Sequence, residues 1–80
     1  MARPQPHEKV IEDAMRIHAL VQSGLQFVDA TDGGWSQLFR DPVDGRLWEH
    51  TYPQSHMHGG GPPRLATISD EDARLRYPAT

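Results

Sequence analysis

Apolar residues early in the chain recur at helical spacing. Val10, Ala14, Ile17 and Val21 fall three or four apart, and Ile11 and Met15 lie on the same side. This periodicity predicts an amphipathic helix over residues 7–24. Glu8, Glu12 and Asp13 stand early, where the helix dipole favours acid, and Gly24 follows as a C-terminal cap. The stripe is expected to cover a sheet; its other use would be to bind a partner.

After Gly24 the pattern shifts to short β-prone runs separated by turn residues. Residues 25–28 read as a short edge strand, followed by a turn-rich loop ending in Gly33 and Gly34. Trp35, Gln37 and Phe39 share one face of the next strand, with Ser36, Leu38 and Arg40 on the other. Trp48, His50 and Tyr52 alternate in the same way with Leu47, Glu49 and Thr51. The run from Asp41 to Arg46, with Pro42 early and Gly45 late, predicts a hairpin turn longer than two residues. Residues 53–63 form a Gly/Pro-rich loop that cannot be a central strand, because proline donates nothing to a ladder. Residues 64–68 resume strand character and complete a meander over 25–68. Ser69 then caps a short helix over 69–77, which Pro78 ends. The expected fold is a single α+β domain: an N-terminal helix packed on a three- or four-stranded antiparallel sheet, with a short C-terminal helix closing the end. One sheet face is expected to stay open to a partner.

Composition narrows the function. Eighty residues suit one domain with a small core, and Trp35, Trp48 and Tyr52 are expected to supply much of it. There is no cysteine, which excludes disulfides and cysteine–zinc sites. No apolar run approaches the roughly 20 residues of a membrane span, and the N-terminus lacks the apolar stretch of a signal peptide. A cytoplasmic protein without membrane contact is expected. Net charge is −3, and the seven arginines and one lysine are spread along the chain. A nucleic-acid binder would gather them on one face, so nucleic acid is not an expected partner. Asp29, Asp32, Asp41, Asp44 and Glu49 outnumber Arg40 and Arg46 around the meander, an acidic surface that would suit a basic partner. Turn chemistry alone also favours aspartate at such positions.

Candidate chemistry is sparse. His50, His56 and His58, with Glu49, are residue types that hold zinc or nickel, but a site needs three or four converging ligands and a supporting shell. Gly59, Gly60 and Gly61 run into prolines and a strand, whereas a phosphate loop runs into a helix N-terminus. No serine has a nucleophile elbow around it. Glu49 and Asp41 could in principle pair for acid–base work, yet so thin a sheet leaves little room for a dry pocket. No enzyme activity and no cofactor or metal are expected.

The ordered set Trp35, Leu38-Phe39-Arg40-Asp41, Asp44-Gly45, Trp48-Glu49, Tyr52-Pro53, His58-Gly59-Gly60-Gly61-Pro62 and Leu65 resembles the Imm27 family of immunity proteins. The resemblance covers residues 34–77; the N-terminal helix lies outside it. Such proteins are encoded beside polymorphic toxins in bacteria. The resemblance implies a non-catalytic inhibitor, monomer or dimer, that binds a cognate toxin, such as a nuclease, and blocks it. Asp41, Asp44 and Glu49 are then the candidate partner-binding residues. The alternatives are a small regulatory or interaction module of another system, and a histidine-based metal-binding protein.

Overall fold

Val10 and Ile11 are β-branched and find a strand to pair with, so they do not enter a helix. They form β1 (Val10–Ile11), opposite Ala66 and Leu65. In this computed structural model, which describes residues 4–52 and 61–78, the first helix therefore begins at Ala14 and not at residue 7. Asp13 fixes that start. Its Oδ1 accepts from the amides of Met15 and Arg16 at 3.0 and 3.2 Å, satisfying two of the helix's unpaired donors. α1 (Ala14–Ala19) runs on into a wider π-type turn, Leu20–Gly24. Gly24 is not left-handed; it packs close to Leu20, and the chain leaves directly into an extended Leu25. Of the expected stripe, Ile17 is buried and Val21 packs against the core, whereas Met15 is exposed.

The remaining strands are β2 (Gln26–Thr31), β3 (Ser36–Arg40), β4 (Leu47–Thr51) and β5 (Arg64–Ile68), followed by α2 (Asp70–Arg76). The sheet has five strands in the order β1-β5-β4-β3-β2, with every neighbouring pair antiparallel. The extra strand beyond the expected four is β1, taken from the predicted helix. Trp35 precedes β3, at the end of the turn that begins with Asp32–Gly34. Edge strand β2 carries a bulge at Val28, between the pairs Phe27–Phe39 and Asp29–Leu38.

Alternation divides the apolar residues between two faces. On one face Ile11, Leu25, Phe39, Trp48 and Leu65 pack with Ile17 and Leu20. On the other, Leu38 and Leu47, flanked by Val28 and Ile68, pack with Ala73 and Tyr77. The C-terminal helix thus covers the second face and does not merely close an end. Ser69 caps it by accepting from the Asp72 amide at 3.1 Å, with Asp70, Glu71 and Asp72 in the first turn. Trp48 and Tyr77 are fully buried, one in each cluster. Removing roughly 200 Å² of aromatic surface from water is worth at most about 5 kcal/mol per ring, so each face is organised around one large side chain.

Candidate partner-binding site

The three acidic residues expected to meet a partner occupy different environments. Asp41 opens the β3–β4 turn and is fully buried. Its Oδ1 accepts from the Val43 amide at 2.9 Å, its own amide donates to the Arg46 carbonyl, and its carbonyl accepts from the Gly45 amide. Gly45 has φ of 79°, which a side chain would resist. Asp41 shapes the turn, as turn chemistry favours for an aspartate there, and offers no exposed charge to a partner. Asp44 accepts from the Arg46 backbone amide at 2.9 Å and from its Nε at 2.7 Å, so its charge is matched within the hairpin.

Glu49 lies on β4, on the face covered by α2, apart from the two turn aspartates. Its Oε1 accepts from Arg76 Nη1 and its Oε2 from the Tyr77 hydroxyl, both at 2.8 Å. The side chain is 13% exposed and that of Arg76 59%. Burial raises the Tyr77 phenol well above its ordinary range, and the Glu49 carboxylate beside it adds to the effect. Tyr77 thus stands as the donor in this hydrogen bond.

Beside this ion pair the molecule opens. Thr31, Ser36, Glu49, Thr51 and Arg76 line a cleft of about 330 Å³. Thr31 and Ser36 are directly paired across β2 and β3, while Thr51 shares a strand face with Glu49. Sequence alternation could have placed Ser36, Glu49 and Thr51 together. Arg76 was beyond reach, because its position depends on where α2 docks.

The opposite face carries a run of rings. Phe27 meets Phe39 edge-on with centroids 5.8 Å apart; Phe39 lies 6.4 Å from His50, and His50 5.1 Å from Tyr52. Tyr52 meets Trp35 edge-on at 5.3 Å. Trp35 is 51% exposed and Phe27 60%, so the run is open at both ends. The expectation that Trp35 is core fails, because Gly33 and Gly34, both at positive φ, deliver it before the strand begins. Trp48 is core, and Tyr52 is half-buried.

His50 is buried, and burial pushes its imidazole below the usual range. Its Nδ1 lies 3.1 Å from Gln37 Oε1, within hydrogen-bond distance. Nε2 has no hydrogen-bond partner among the described residues. Glu49 points to the other face, so it does not join His50. His56, His58, Gly59 and Gly60 lie outside the described residues, and Gly61 has φ of 69°. Among the described residues no group of three His, Asp or Glu could hold a metal ion, and no helix is long and apolar enough to cross a membrane.

Comparison with curated proteins and with solved structures found no significant match. A family model described as Immunity protein 27 (Imm27) matches residues 6–69. That span runs from the segment before β1 to the cap of α2, and it takes in the N-terminal helix that the sequence resemblance left out. With most of the chain matched, the protein belongs to the Imm27 family of immunity proteins.

Proposed function

We propose that the protein binds a cognate toxin and neutralises it by occupying a functional surface, without turnover. The family match over residues 6–69 carries this reading. The surface best suited to contact is the sheet end formed by residues 31–36 and 51–52. Trp35 is half exposed there and braced edge-on by Tyr52, the arrangement of a rigid aromatic anchor. The cleft beside Glu49 opens at the same end, on the opposite face. Net charge of −3 favours capture of a basic partner. A nuclease fits, since a nucleic-acid cleft is basic. Asp44 and Glu49 serve this reading better than Asp41, which is buried.

The test is co-expression with the product of the neighbouring gene. Growth rescue together with co-purification of the two chains is the expected result. Rescue without a stable complex, or turnover of a small substrate by this protein alone, would refute binding as the mechanism.

A further inference from the structure

The cleft beside Glu49 already holds a guanidinium, that of Arg76. The contact is a single 2.8 Å hydrogen bond from Nη1 to Glu49 Oε1, and the arginine side chain is 59% exposed. The arginine end of the pair is open to solvent while the carboxylate is largely buried, so Arg76 can leave when another cation takes its place on Glu49. The rest of the lining can accept. Thr31, Ser36 and Thr51 contribute hydroxyl oxygens, and each Glu49 oxygen has a second acceptor site beyond its present partner. The Tyr77 hydroxyl donates to Glu49 Oε2. That proton is directed at the carboxylate and not into the cleft. A guanidinium has five donors and no acceptor, so it complements this lining.

We propose that the cleft binds the guanidinium of a partner arginine, which displaces Arg76 from Glu49. That the arginine belongs to a toxin rests on the function proposed above; the preference of the cleft for a guanidinium does not. Arg76 then acts as an internal placeholder that keeps Glu49 neutralised until the partner arrives.

The experiment has two arms. In the first, methylguanidinium chloride is titrated into the purified protein and followed by heteronuclear NMR, with sodium chloride and sodium acetate as controls. Saturable shifts are expected at the amides of Thr31, Ser36, Glu49 and Thr51. Arg76→Ala should bind the probe several-fold more tightly, and Glu49→Gln should lose the response. Thr51→Val, which spares the ion pair, should weaken it and serves as the second variant if Glu49→Gln unfolds. Saturation by acetate that Arg76→Ala abolishes would overturn the proposal, because Arg76 would then be the receptor for a carboxylate. No shift beyond the sodium chloride control would also overturn it.

In the second arm the same variants are tested against the co-purified toxin. Arg76→Ala should bind as well as the parent or up to tenfold better, and Glu49→Gln at least tenfold worse. Equal loss in both variants would overturn the exchange. If no toxin binds any form, the proposed function falls, and the methylguanidinium titration alone decides the cleft.

Discussion

The guanidinium of Arg46 lies 4.9 Å from the centre of the Trp48 ring, and the same group donates to the carbonyls of Glu8 and Gln5 at 2.7 and 3.2 Å. One side chain from the hairpin thereby ties the N-terminal segment to the core. Arg46→Ala is expected to cost about 2 kcal/mol, from the lost cation–π contact and the charge-assisted hydrogen bonds. Arg46→Lys keeps the charge but not the planar fork, and should recover less than half of that loss. Urea denaturation gives both values. Unchanged midpoints in both variants would show that the clamp contributes nothing.

Tyr77 reaches Glu49 from the far end of the chain, so one hydroxyl links α2 to the middle of the sheet. Tyr77→Phe should destabilise by about 1–2 kcal/mol, because a largely buried carboxylate loses a donor. Tyr77→Ala removes the ring as well and should cost about 3–5 kcal/mol. Thermal unfolding of the three forms would separate the hydroxyl from the ring.

Glu8 is expected to give stability an acid-side slope. Arg16 hydrogen-bonds its carboxylate, and with the Gln5 amide holds the pKa down from 4.5 to about 2. A lowered carboxylate pKa contributes stability that is fully present above pH 4.5 and is lost as pH falls from there toward 2. Glu8→Gln should be less stable than the parent at neutral pH and should show a flatter decline across that window. Denaturation midpoints measured between neutral and acid pH would check the slope; identical slopes in the two proteins would exclude Glu8 as the cause.

The two tryptophans should respond oppositely. Trp48 is fully buried, whereas Trp35 is 51% exposed. Trp48→Ala is expected to cost about 3–5 kcal/mol. Trp35→Ala should cost under about 1 kcal/mol but weaken toxin binding at least tenfold, as an exposed aromatic anchor would. Acrylamide should quench the Trp35 emission first, and toxin binding should protect it. Wild-type affinity in Trp35→Ala would remove this ring from the interface.

The meander was legible because its signals are local. Asp41, Pro42 and Gly45 make a turn wherever they fall between two alternating strands, and β3 and β4 follow from that. The C-terminal helix was legible for the same reason, through Ser69 and Pro78. β1 was not, because Val10 and Ile11 fit a helical stripe equally well, and only pairing with Leu65 and Ala66 decides between the two. The exposure of Trp35 and the cleft beside Glu49 depend on how the turn and α2 are placed over the sheet. Neither position is written in the spacing of residues along one strand.

The irregularity at Val28 in edge strand β2 has its own consequence. An even, apolar border would let copies of the chain zip together without limit. Here the skipped residue twists the border, and Asp29 sits beside the break with its Oδ1 turned onto the Ala30 amide. That amide is satisfied from within. The outer margin is thus a poor template for adding strands from other molecules.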